Sequence, residues 1–221
     1  MKIKITTLLF GLVLTPCVCL AKGAPDVVDD FQKQFDALLN AVVVCPPGAP
    51  TRFVDNGDGT ICDHENGLMW EKKNAADGVE DFDNPHDVDN RYTLSFDIDS
   101  VDLDGTAFTN FLPWLNGEVH KFRAPFVAQL GGYSDWRVPN RGELRTLTLE
   151  PLPCSILPCI DPFFTPSAGN YWSSTGFTSD TSIPQSDKGG FSLDFNRGSE
   201  FGQGRSSALH IRAVRGSMGG R

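Results

Sequence analysis

Ten carboxylates crowd residues 77 to 104, and four of them form two Asp-x-Asp pairs, Asp97 with Asp99 and Asp102 with Asp104, ahead of Gly105. Hard oxygen ligands at that density are what a calcium ion takes, and Asp55 to Asp58 offer a second group. The spacing departs from the EF-hand loop, and a merely solvated acidic loop competes with the calcium reading. Calcium is therefore the one cofactor the residues bring into view.

Aromatic side chains are the next candidates. Trp70, Trp114, Trp136 and Trp172, with Tyr133 and Tyr171, supply flat apolar faces on which sugar rings pack, although large aromatics equally serve as core. A sugar surface is expected at Tyr133 and Trp172, with Asn170 and Arg197 as polar neighbours.

Catalytic constellations are missing from the sequence. His64, His86, His120 and His210 show no metal spacing, and there is no Gly-x-Ser-x-Gly, phosphate loop or dinucleotide fingerprint. This argues against an enzyme.

The N-terminus sets the compartment. Lys2 and Lys4 precede an apolar run from Ile5 to Leu14, then Pro16 and a small-residue end at Ala21, the layout of a cleaved secretory signal over residues 1–21. Leu14-Thr15-Pro16-Cys17 also invites a lipid-anchor reading, which Pro16 before the cysteine disfavours. The apolar run is too short to span a bilayer, which needs about 20 residues. The expected location is exported: periplasmic, secreted or at the cell surface.

Cleavage takes Cys17 and Cys19 with it and leaves Cys45, Cys62, Cys154 and Cys159. An even count in an exported chain reads as two disulfides, and of the three pairings proximity favours Cys45 with Cys62 and Cys154 with Cys159. Oxidised cysteines also leave no thiol nucleophile. Removing Lys2 and Lys4 from the 19 basic residues leaves 17 against 28 acidic ones, a formal charge of −11. Such a surface repels nucleic acid.

The elements that must position these groups follow from periodicity. Val28, Phe31, Phe35, Leu38 and Val42 recur at helical spacing, an amphipathic stripe that packs on its own domain or against other subunits of a homo-oligomer. Cys45 to Pro50 is a Pro-rich hinge, so residues 22–50 form a helical arm. Asn56-Gly57, Asp58-Gly59 and Asn66-Gly67 punctuate a small antiparallel meander over Arg52–Val54, Thr60–Cys62 and Leu68–Trp70.

Residues 77–104 read as a long excursion with one strand at Tyr92–Phe96. Phe108 to Leu115 reads as a helix ending at Asn116-Gly117. Asn140 and Glu143 are spaced as a capping box, predicting a helix from Arg141 through Leu144 and Leu147. Strands are predicted at Tyr171–Thr175, Phe191–Phe195 and Leu209–Val214, with Asn196-Arg197-Gly198 and the Gly202/Gly204 cluster as turns. The fold class is α+β: antiparallel sheets, two main helices and long loops.

Several ordered motifs carry a resemblance. Arg52 to Thr60, Gly67 to Trp70, Gly132 to Asn140, Glu143-Leu144, Tyr171 to Ser174 and Val214 to Gly216 resemble the Legionella collagen-like adhesin C-terminal domain family. The resemblance places such a domain at residues 51–217, with a flexible tail at 218–221. The Trp-Arg-x-Pro segment before a helix and the closing Ile211 to Arg215 strand are similar to the C-type-lectin-like fold of formylglycine-generating-type proteins.

The resemblance implies a noncatalytic binding or adhesion module, with carbohydrate or another extracellular polymer as ligand. A structural protein assembling through the N-terminal stripe is the rival, and an enzyme of the formylglycine-generating type the disfavoured third class. No collagen-like Gly-x-y tract precedes the domain, and its acidity argues against sulfated polysaccharides.

Overall fold

A computed structural model describes residues 44–46, 49–74, 76–97, 102–118, 129–152, 154–155, 157–164, 169–177 and 189–217. The signal, the stripe from Val28 to Val42, Asp99 and the tail at 218–221 lie outside the described residues.

The predicted meander forms. Strands β1 (Phe53–Asp55) and β2 (Thr60–Asp63) pair antiparallel, with Asp55 opposite Ile61. Gly57 and Gly59 take φ of +78° and +88° in the connecting turn, a region in which a Cβ would be strained. β3 (Leu68–Glu71) follows a second turn, built on the buried carboxylate of Asp63. Asp63 accepts the N–H groups of Glu65 and Asn66 and is gripped by Arg52 through Nε and Nη2 at 3.2 and 2.9 Å.

The second sheet contains β4 (Arg91–Tyr92), β5 (Asn170–Phe177), β6 (Gly189–Asp194), β7 (Ser199–Gly204) and β8 (Leu209–His210), in the order β4-β8-β5-β6-β7. The final strand, β9 (Val214–Arg215), belongs to the first sheet, where it pairs with β3 and places Val214 opposite Trp70. The first sheet is thus β1-β2-β3-β9.

Four expectations are corrected. Leu209–Val214 is two strands on different sheets, because Ile211, Arg212 and Ala213 are buried on the crossing between them. The Gly202/Gly204 cluster is strand rather than turn: Gly202 lies opposite Phe191 and Gly204 opposite Gly189, where ladder hydrogen bonds need no side chain. The sheets are not wholly antiparallel, since β5 and β8 meet parallel at Tyr171 and His210. The strand at Tyr92–Phe96 shrinks to Arg91–Tyr92, as Leu94 and Ser95 turn their N–H groups to the Arg205 carbonyl.

The two main helices are short. A π-turn (Ala107–Phe111) runs into α1 (Leu112–Leu115), with Pro113 in the first turn, where its missing N–H is tolerated. α2 (Arg141–Arg145) starts at the predicted capping box and stops before Leu147. Among the described residues the protein is mostly β.

Two buried clusters flank the second sheet. Alternation along β5 sends Tyr171 into a cluster with Trp70, Phe164, Phe195 and Val214. The next residue, Trp172, enters the other cluster with Phe111, Trp136 and Ile211. Both predicted disulfides are present, Cys45–Cys62 and Cys154–Cys159.

Candidate functional site

The segment Asp135 to Glu143 is the clearest motif in the sequence, and it buries Trp136, Val138 and Glu143. Trp136 is buried and donates its indole N–H to the Leu130 carbonyl, while Asn116 bonds both backbone groups of Trp136. Arg137 exchanges backbone hydrogen bonds with Val214. Its guanidinium holds Glu143 at 2.8 and 2.6 Å and donates to the Gly216 carbonyl. Glu143 in turn accepts the N–H of Asn140, whose side chain accepts the N–H of Glu143. The motif therefore fastens α2 to β9.

Asp135 faces the same strand from the other side. It accepts from Arg215 Nε at 2.7 Å, and the buried Arg215 guanidinium lies 3.6 Å from the Tyr133 ring centroid. A cation held over an aromatic face stabilises by about 1 kcal/mol and fixes the ring.

Two separate motifs then come together around Tyr133. The turn Leu130–Gly132 packs on the β1–β2 hairpin. A Cβ at Gly59 would stand 3.0 Å from Leu130; one at Gly131 would stand 3.0 Å from Thr60, 3.2 Å from Asp58 and 3.3 Å from Tyr133. Asp55, Asn56 and Asp58 are exposed along the rim of this contact, and Tyr133 is half-buried. Asp55 pairs with Lys72, which, with the Gly57 N–H, holds the Asp55 carboxyl below its ordinary range.

A third group was not read from the sequence: a buried ionic hub. Glu71 Oε1 lies 2.9 Å from Lys73 Nζ and 2.9 Å from His86 Nδ1, and its other oxygen accepts the Ala213 N–H. Arg212, also buried, donates to the Glu71 carbonyl. Lys73 donates to the Pro85 carbonyl and sits 4.5 Å from the Phe111 ring centroid.

Burial pushes the Glu71 carboxyl up, but Lys73, His86 and the Ala213 N–H outweigh it and hold the group below its ordinary value. Burial lowers the Lys73 ammonium, with the Glu71 charge opposing in part. Burial, followed by the Glu71 charge, raises Tyr92. The only signal in the sequence was two opposite charges two residues apart, Glu71 and Lys73.

The hub anchors the acidic excursion, whose carboxylates turn out to serve its own backbone. Asp89 accepts the N–H groups of Asp77 and Gly78, and Asp87 those of Asp81 and Asp89. Asn90 donates to the carbonyls of Asp81 and Asn84.

Of the predicted site residues, Asn170 and Arg197 both adjoin Asp194. Tyr133 sits against β9, whereas Asn170 starts β5 opposite Asp194, and Arg197 is exposed in the turn after β6. Trp172 is fully buried and donates its indole N–H to the Tyr92 carbonyl, because β5 is covered on both faces; it presents no ring to a ligand. Asp97, Asp102 and Asp104 are exposed, and Asp104 accepts the Phe96 N–H. Among the described residues no three His, Cys, Asp or Glu side chains are grouped to hold a metal, and Asp99 lies outside them. No helix among the described residues is long and apolar enough to cross a membrane.

No curated protein and no solved structure matches the chain. A family model does, that of the Lcl C-terminal domain, over residues 59–215. This match takes in every strand but β1 and the Asp135–Glu143 lock, so the chain belongs to the Lcl C-terminal domain family, that of the Legionella collagen-like adhesin.

Proposed function

We propose that this chain is an exported, noncatalytic adhesion module that recognises carbohydrate or another hydroxyl-rich extracellular polymer through the surface around Tyr133. Membership in an adhesin-associated family supports the adhesion reading. One observation carries the location: the Tyr133 ring is fixed by Arg215 at 3.6 Å, and the turn before it packs on the β1–β2 hairpin beside the exposed Asp58. An immobilised ring with convergent polar groups is what sugar binding asks of a site.

The test is a glycan array probed with the full chain and with Tyr133→Ala, with and without calcium. Binding to neutral glycans that falls at least about tenfold in Tyr133→Ala, with an unchanged near-ultraviolet circular dichroism spectrum, supports the reading. Silence across neutral, acidic and sulfated glycans overturns it, and equal binding by the variant moves the site elsewhere.

A further inference from the structure

The sequence holds three Asn-Gly pairs, Asn56-Gly57, Asn66-Gly67 and Asn116-Gly117, and the fold places them in three different environments. Asn-Gly is the dipeptide in which a backbone nitrogen most readily attacks the preceding carboxamide, because glycine has no side chain to obstruct the approach. What decides whether it does so in a folded protein is how firmly the carboxamide and the next N–H are held.

Two of the pairs are locked. Asn116 uses both ends of its carboxamide on the backbone of Trp136, and the Gly117 N–H is bonded to the Trp114 carbonyl. Asn66 donates its Nδ2 to Asp63 at 2.8 Å and its backbone N–H to the same buried carboxylate. Gly67 then donates to the Asp63 carbonyl. Reaction at either position would break bonds in the core of a turn.

Asn56 differs in its exposure and in the partner of the N–H that follows it. It is exposed, and its carboxamide makes one hydrogen bond of ordinary length, from Nδ2 to Thr60 Oγ1 at 2.8 Å, with a longer contact to Cys62 Sγ at 3.8 Å. The Gly57 N–H points to a side-chain acceptor, Asp55 Oδ1 at 3.0 Å, and not to a backbone carbonyl. Nothing lies within 4 Å of where a Gly57 Cβ would be, so the turn has room to change shape.

We infer that Asn56 is a site of spontaneous covalent modification in the folded protein. The Gly57 backbone nitrogen attacks Asn56 Cγ and gives up its proton. The new N–Cγ bond forms as the Cγ–Nδ2 bond breaks, and ammonia leaves with that proton. The resulting five-membered succinimide is opened by water at either carbonyl carbon, giving aspartate or isoaspartate. No oxidant or enzyme takes part. The product carries a new negative charge between Asp55 and Asp58, and the isoaspartate form adds a methylene to the hairpin backbone.

Peptide mapping by mass spectrometry of the folded full chain, sampled over days in mildly alkaline buffer, tests this. The peptide holding Asn56 is expected to gain one mass unit and split into two chromatographic forms, at least about tenfold faster than the peptides holding Asn66 and Asn116. In urea and reductant, where only the local sequence remains, the three should react at comparable rates. Equal rates at two or more positions in the folded chain overturn the inference. So does an Asn56 that stays intact while the unfolded chain reacts.

Discussion

Arg137 and Glu143 are six residues apart and meet through two hydrogen bonds of 2.8 and 2.6 Å. The same carboxylate closes the capping box at Asn140, and the same guanidinium reaches the Gly216 carbonyl. One pair thus joins a helix start, a loop and the C-terminal strand. Glu143→Ala removes the reciprocal half of the capping box and leaves Arg137 without its anion, which should cost about 2–4 kcal/mol in urea unfolding. Glu143→Gln keeps the cap and should cost roughly half as much.

Breaking the buried hub from one side leaves the other charge stranded. Glu71→Ala and Lys73→Ala should each destabilise by about 3–5 kcal/mol. Glu71→Ala combined with Lys73→Ala should cost clearly less than the sum of the two single changes. A double-mutant cycle by chemical denaturation reads this coupling, and strict additivity would count against the hub.

The hub also fixes a pH dependence. The Glu71 carboxyl titrates lower in the folded than in the unfolded chain, so the unfolded state binds the extra proton between the two values. Its contribution is complete above the unfolded value near 4.5 and is lost as pH falls through the folded one. Lys73 is lowered too, so stability rises with pH between its folded value and the ordinary lysine value of 10.5. Urea midpoints across the acid range should fall less steeply for Glu71→Gln than for the parent.

Gly131 has φ of +60° and packs on Thr60, Asp58 and Tyr133. Gly131→Ala combines left-handed strain with a contact at 3.0 Å and should cost about 1–3 kcal/mol. It should also lift the Leu130–Gly132 turn away from the hairpin. Gly132→Ala pays only the strain, since nothing lies within 4 Å of it, and comparing the two melting temperatures isolates the contact.

Much of the fold was legible because its signals are local. Asn56-Gly57, Asn66-Gly67 and the Asn140/Glu143 spacing act within three or four residues, and the hairpins and helix start appear where they predict. The proximity of Cys45 to Cys62 and of Cys154 to Cys159 worked for the same reason. What escaped depends on distant covering. Trp172 reads as a surface aromatic, and distant residues bury it: Tyr92, whose carbonyl takes its indole N–H, and Gly190, whose backbone lies against its ring. Glu71 and Lys73 drew no reading from the sequence, because Arg212, Ala213 and Pro85, which close over them, lie far away along the chain. The acidic excursion reads as a cation trap, yet Asp87 and Asp89 spend their oxygens on the loop's own N–H groups.

The crossing at Ile211–Ala213 has a consequence in time. Residues 209–215 complete both sheets, β8 beside β5 and β9 beside β3, yet a ribosome makes them after all the strands they join. Until they emerge, β3 and β5 each have an open flank and Glu71 lacks the Ala213 N–H and Arg212 above it. A growing chain therefore cannot close this domain piecemeal. The two sheets are joined only once residues 209–215 are in place.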